Sequence, residues 1–452
     1  MKDQALRRCD IGIVGDKIQF IEQANKFDYT SKKKIDATGL YFLPGFIDTH
    51  SHTDEAALNK EFNSKVMQGV VLEICGNCGG SPIPINSKQT YNIRKNVKFC
   101  EDGWYPQHLS WSTFYEYSRV ANQEKLTCNH LYFVGLWTLY DNSKSEQDLL
   151  FLLSNALESG CVGLSINQGH KSWINLSVKI KQKIFEILQY YNKIFSVHLA
   201  DYGKYFIENI NEIFNFIKQY RVRVVFSHMK FFHSEAHNNY KHFQNIFNQI
   251  CSYTSAKFDL YPYDSICTRL SWILNYSSEQ LYNIPYIKIL KNGNIIELKN
   301  GILTSKDRCY LENLLSTNDL LITAPGINQS NMFELLMNKH SFIGSDYSSF
   351  KVCKQSLKTN HERGYRTFFK SFKLLMTQTK GNLENVISKL SFKPCMFYNI
   401  KNRGKILENY YADILICKIN NVHDLCLKYV LINGKIVYKK DDSPLTKYGY
   451  IL

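Results

Sequence analysis

Short apolar runs bounded by turn-forming residues recur along the chain. Eight of them read as strands: Phe46–His50, Val70–Cys75, Leu131–Leu136, Cys161–Ile166, Ile194–His198, Val224–His228, Lys257–Tyr261 and Phe342–Asp346. Between several of them lie stretches with apolar residues at helical spacing, such as Glu146–Glu158, Val178–Tyr191 and Tyr205–Tyr220. Strands alternating with helical crossovers predict an α/β fold, a parallel (β/α)8 (TIM-like) barrel. The segment between Arg269 and Asp319 is too long for a simple loop and is expected to carry small elements of its own.

The two chain ends read differently. Asp10–Ile21 reads as a hairpin turning at Gly15-Asp16. Ala412–Ile419 and Tyr429–Tyr438 read as further strands, the second turning at Asn433-Gly434. We expect the ends to meet in a small β-sandwich domain (1–43 plus 401–452). The catalytic barrel then spans 44–400, with an insertion near 270–319.

Composition changes this picture little. Of the 452 residues, 44% are hydrophobic and 21% charged, a globular balance. No apolar run approaches the ~18 residues of a membrane span, and the N-terminus lacks a secretory apolar stretch, so a cytoplasmic protein is expected. The net charge is +15, yet the basic residues are spread along the chain. Clustered Lys/Arg with interleaved aromatics, the pattern of nucleic-acid binding, are not found. No nucleic-acid or membrane partner is therefore expected. Thirteen cysteines without a secretory signal argue for reduced thiols.

Chemistry concentrates at the strand ends, the face that carries the active site in barrels of this kind. The first strand ends in His50-Ser51-His52, the second runs into Cys75-Gly-Asn-Cys78, the fifth ends in His198, the sixth in His228 and the eighth in Asp346. Residues i and i+2 of a strand face one way, so His50 and His52 can both aim into the mouth. His, Cys and carboxylate are the usual zinc ligands. One such residue would mean little, but a set spread over separate strand ends points to a metal site. Cys75 and Cys78 have C-x-x-C spacing without a second pair, so only one thiol need be a ligand.

These residues also carry a resemblance. LPGFIDTHSHTD (Leu43–Asp54) is similar to the metal signature that opens the amidohydrolase superfamily. GNCGGSPIP (Gly76–Pro84) resembles the GNCG segment of one branch, the N-acyl-D-amino-acid deacylases or D-aminoacylases. GLSINQG, SVHLADYG, FSHMK, DLYPYDSICTRL, FIGSD, HERGYRTF and VLINGKIV follow in matching order. The resemblance implies that Cys78, His198 and His228 hold a tight zinc, and that His50 and His52, with Cys78 as a bridge, form a second, weaker metal position. It implies Asp346 as the catalytic acid/base, Arg363 against the substrate carboxylate, Tyr261 as a substrate contact and Lys230 as a further site residue. The chain departs from the family at Ala200-Asp201-Tyr202, where Arg-Asp-Glu is usual, and at Cys267, where a small hydroxyl residue is usual.

The implied reaction is hydrolysis of an N-acyl-D-amino acid, a small-molecule substrate, to a carboxylate and a D-amino acid. A cyclic-amide hydrolase of the dihydroorotase or hydantoinase kind is the alternative within enzymes. It would favour a carboxylated lysine in the place of Cys78. An inactive, metal-retaining binding protein is the alternative outside them. His108, His130, His170, His233, His237, His242, His340 and His423 read as surface or core residues. His361 lies beside Arg363 and can line the site, and Tyr263 reads as packing. Asp54 and Glu55 read as carboxylates of a helix's first turn.

Overall fold

The computed structural model describes residues 7–26, 30–59, 61–85, 111–232, 238–270, 286–291, 294–299, 311–313, 321–421, 423–440 and 447–452. His108, His233 and His237 lie outside the described residues. Eight parallel strands form the central sheet: β1 (Phe46–Asp48), β2 (Val70–Cys75), β3 (Asn129–Gly135), β4 (Gly163–Asn167), β5 (Ile194–His198), β6 (Arg223–Phe226), β7 (Ala256–Leu260) and β8 (Ser341–Ile343). The order follows the chain from β1 to β8. The outer strands then meet: Thr49 N–H donates to Ile343 O at 3.1 Å, Asp346 N–H donates to His50 O at 2.8 Å, and Ser51 bridges Tyr347 in parallel register. The sheet is thereby a barrel, as the strand pattern predicts.

Alternate side chains explain why the strands are apolar throughout. Ile47, Leu72, Ile74, Leu131, Phe133, Ile194, Val225 and Phe342 fill the interior, and Cys395, Phe397 and Tyr398 plug its floor. The intervening residues pack outward against helices, which cover the other face. The helix Phe206–Tyr220 shows the match of period to burial, since Phe206, Ile210, Ile213, Phe214 and Ile217 are its buried stripe. Ser145 and Ser177 cap the helices Glu146–Glu158 and Val178–Tyr190, each accepting a backbone N–H of the first turn.

The chain ends also pair. Tyr41–Pro44 lies antiparallel to Ile414–Ile419, which continues through Leu425–Ile432 to Lys435–Lys439 as a four-stranded sheet. The hairpin Cys9–Val14/Lys17–Gln23 forms a second sheet. Ile18, Ala412, Ile414, Ile416 and Leu431 make the apolar layer shared by the two. After β7, Ser265–Arg269, Leu321–Pro325, Tyr286–Lys291 and Asn294–Lys299 form a further antiparallel sheet. No helix among the described residues is long and apolar enough to cross a membrane.

Candidate metal centre and active site

The C-terminal strand ends bring the polar residues together. The loop after β2 turns sharply at Gly76 (φ +73°), where a Cβ would sit 2.0 Å from Phe133 O. Ser165 of β4 clamps this loop, its Oγ donating to Gly76 O at 2.5 Å and accepting from Gly79 N–H at 3.1 Å. Cys78 is held between these contacts in the left-handed region (φ +55°). His228 (φ +33°) and Asp346 (φ +51°) share that uncommon backbone conformation. Strain of this kind, about 1–3 kcal/mol per residue, is characteristic of functional sites.

Cys78 Sγ lies 3.3 Å from His198 Nδ1, 3.5 Å from His228 Nε2 and 3.4 Å from His50 Nε2. His198 Nδ1 and His228 Nε2 are 2.8 Å apart. A thiol has one proton and can satisfy one of these neighbours, whereas a cation can be shared by all of them. Two donor groups result: Cys78, His198 and His228, and Cys78, His50, His52 and Asp346. Thiolate and imidazole at such spacing fit a divalent ion with an open coordination position. Burial pushes the Cys78 thiol up, but the His198, His50 and His228 rings outweigh it and hold it well below its ordinary value. Burial likewise lowers His52, yet Asp346 and Cys78 raise it to about 9. His50 is likewise raised, by Asp259 and Cys78 against its burial, whereas burial and Lys230 lower His228 to about 3, which leaves that ring a neutral donor.

Asp346 sits at the edge of this group. Its Oδ1 is 3.1 Å from His52 Nε2 and 3.6 Å from His50 Nε2, and its Oδ2 is 2.9 Å from Arg363 Nη1. Burial raises its pKa, but Arg363 foremost, then His228 and His52, hold it well below the carboxylate range. Arg363 is itself buried. Its Nη2 donates to Cys267 O at 2.8 Å, the Tyr261 ring lies 4.7 Å from its Cζ, and its Nε has no hydrogen-bond partner among the described residues. Lys230 Nζ is 2.9 Å from His228 Nδ1 and 5.9 Å from the Tyr261 ring. His50, His52, Cys78, His198, His228 and Asp346 therefore share one neighbourhood with Arg363, Tyr261 and Lys230.

The strand argument for His50 and His52 needs a correction. β1 stops at Asp48, so both lie beyond it, on a stretch tied to the segment after β8 by the Ser51–Tyr347 bridge. Their rings still meet, edge to face, with centroids 5.2 Å apart. Cys75 points away from the centre, 3.4 Å from His130 Nδ1 on the outer face of the barrel. His130 is a core residue, and His170 Nδ1 accepts Ser172 N–H at the start of a short helix. His361 accepts Arg363 N–H at Nδ1 and meets Ser265 Oγ at Nε2, with the Tyr263 ring 5.4 Å away. Asp54 and Glu55 do occupy a first helical turn, where Asp54 Oδ1 accepts Gly76 N–H.

One partner escaped the sequence reading. Asp259 Oδ1 lies 3.1 Å from His50 Nδ1 and accepts His228 N–H at 2.7 Å, which orients both histidines at once. Its signal was a carboxylate inside an apolar strand, two residues before Tyr261.

The profile of the Amidohydrolase family matches residues 182–437, more than half of the chain, and the chain belongs to that family. The N-acyl-D-aspartate deacylase of Alcaligenes xylosoxydans xylosoxydans is 22% identical over 450 residues, covering 92% of this chain and 86% of the relative. The D-aminoacylase of the same organism is 24% identical over 275 residues, covering 58% and 55%. Among solved structures, the N-acyl-D-glutamate deacylase from Bordetella bronchiseptica, complexed with zinc and a phosphonate inhibitor, superposes with a TM-score of 0.82. It is 17% identical, and the match covers 99% of this chain and 95% of that one. A D-hydantoinase from Thermus sp. reaches only 0.56 at 12% identity, with 98% and 95% covered.

Proposed function

We propose that the protein is a zinc-dependent hydrolase that cleaves the linear amide of N-acyl-D-amino acids. The observation that carries this is the convergence of Cys78, His198 and His228 beside the Asp346–Arg363 pair. Cys78, His198 and His228 would hold the tight zinc, and His50 and His52 a weaker second one. A zinc ion held by that set would supply an acidified water and a polarised carbonyl. The D configuration and the linear amide rest on the named relatives.

The chain's own groups supply the rest. Oδ2 of Asp346 is engaged by Arg363, which leaves Oδ1 facing the histidine donors as the atom that takes a proton from the attacking water. The same oxygen then delivers that proton to the leaving nitrogen, without which an amine is a poor leaving group. The planar fork of Arg363 suits a substrate carboxylate, and its Nε is the donor still to be used. A carboxylate that draws on this guanidinium loosens its hold on Asp346 and makes the base stronger. Tyr261 and Lys230 flank the same space.

The test is a hydrolysis screen of N-acetyl and N-formyl D- and L-amino acids with zinc restored after chelation. Turnover of D substrates with a linear amide is expected. Turnover of hydantoins or dihydroorotate alone would refute the proposal. Cys78→Ala should lower bound zinc, and Cys75→Ala should leave it unchanged, as read by metal analysis of the purified chains. The reverse outcome would mean the wrong thiol was assigned.

A further inference from the structure

We propose that Tyr202 is a positioning residue whose hydroxyl spaces the two strand ends that carry His198 and His228. The inference rests on reading these histidines and Cys78 as a metal-holding set. The ladder between β5 and β6 closes at Val197 and Phe226, with Ser227 N–H donating to Val197 O at 2.9 Å. The next rung would join Leu199 N–H directly to Ser227 O. Instead, Tyr202 Oη stands between them, accepting from Leu199 N–H at 3.1 Å and donating to Ser227 O at 2.9 Å. One hydroxyl thus bonds the residue after His198 and the residue before His228. It splays the two strands by the width of an oxygen just where their histidines must converge on Cys78. The ring reinforces this. It lies edge-on to His198 at 5.7 Å, tilted against His228 at 5.2 Å, and beneath Lys230 Nζ at 4.3 Å. Tyr202 is 7% exposed, and its own carbonyl accepts Phe232 N–H at 3.0 Å, so the spacer is fixed at both ends.

The experiment is a competition titration of the full chain against a chelating dye with zinc, and visible spectroscopy of the cobalt-loaded protein. It compares wild type, Tyr202→Phe and Cys78→Ala. Loss of the hydroxyl should weaken zinc binding by about 10–100-fold and shift the cobalt ligand-field bands, with an unchanged far-ultraviolet dichroism spectrum. Tyr202→Phe binding within about twofold of wild type, with the same bands, overturns the role of Tyr202 alone. Cys78→Ala binding zinc as tightly as wild type overturns the metal reading, and this proposal with it. Should Tyr202→Phe not fold, a chain carrying 4-fluorophenylalanine at position 202, which fills the hydroxyl's place but cannot donate to Ser227 O, keeps the test. Shifted cobalt bands support the spacer, and unmoved bands refute it.

Discussion

At the scale of single residues, the centre is a balance of buried charge. Cys78 and Asp346 are held in their anionic forms by neighbours, not by solvent: three imidazoles for the thiol, Arg363 and histidines for the carboxylate. Removing the charge of Asp346 should therefore separate chemistry from metal binding. Under the proposed function, Asp346→Asn is expected to keep the tight zinc and lose about 10²–10⁴ in kcat, the range for a missing acid/base. Metal analysis and steady-state kinetics on one preparation check both halves. Near-normal turnover would remove Asp346 from its role. The histidines, Cys78 and Asp346 were legible in the sequence because each follows or ends a strand, whereas Arg363, at the start of a helix, was named only by the resemblance. Asp259 was missed, because its effect passes through His50 and His228, and a carboxylate inside an apolar strand does not by itself name partners that far along the chain.

At the scale of elements, the loop after β2 shows how backbone shape sets the chemistry. Gly76 combines a left-handed φ with a carbonyl only 2.0 Å from where a Cβ would lie, and that carbonyl belongs to β3. Gly76→Ala should cost about 1–3 kcal/mol of stability through strain, read from urea unfolding. Bound zinc should fall with it, because Cys78 follows two residues later. An unchanged urea midpoint would show that the loop can relax. Element identity was largely a matter of pattern. The runs Val70–Cys75 and Ile194–His198 are strands with the predicted bounds. The end of β1 was misplaced because Thr49 and His50 keep an extended sequence pattern while the chain bends to meet β8. Of the antiparallel sheet after β7, only Tyr286–Lys291 and Asn294–Lys299 lie in the segment expected to carry small elements; the flanking strands Ser265–Arg269 and Leu321–Pro325 were not foreseen, since their pairing joins segments more than fifty residues apart.

At the scale of the whole molecule, the barrel is closed by a buried ion. Lys65 Nζ, 1% exposed, donates to Asp48 at 2.7 Å, to Ser345 Oγ at 2.6 Å and to Tyr347 O at 2.9 Å, and lies 3.3 Å from Glu73. It thereby joins β1, β2 and the segment after β8 at the seam. Burial raises the Glu73 carboxyl, but Lys65 and then His130 lower it from 4.5 to about 2. A depressed folded pKa contributes stability that is complete above about 4.5 and is lost as pH falls toward 2. Lys65→Met leaves buried carboxylates unpaired and should cost about 3–5 kcal/mol at neutral pH. The gap between the two chains should narrow below about pH 4.5, as followed by urea midpoints across pH. A constant gap would argue that Lys65 acts by packing alone.

The sequence by itself determined the barrel, because the period of its apolar residues allows few other ways of burying them. It also determined the kind of chemistry, because His, Cys and Asp recur at the ends of those same runs. Only the tertiary structure shows why Cys78, the thiol the resemblance names, and not Cys75 faces the centre. Cys75 and Cys78 are three residues apart, and it is the turn at Gly76 that sends one outward and the other in. Only the tertiary structure gave Arg363 a carboxylate partner, and Tyr202 its place between two strands. Each of these depends on distances across the barrel mouth, and such distances exist only once the sheet has closed.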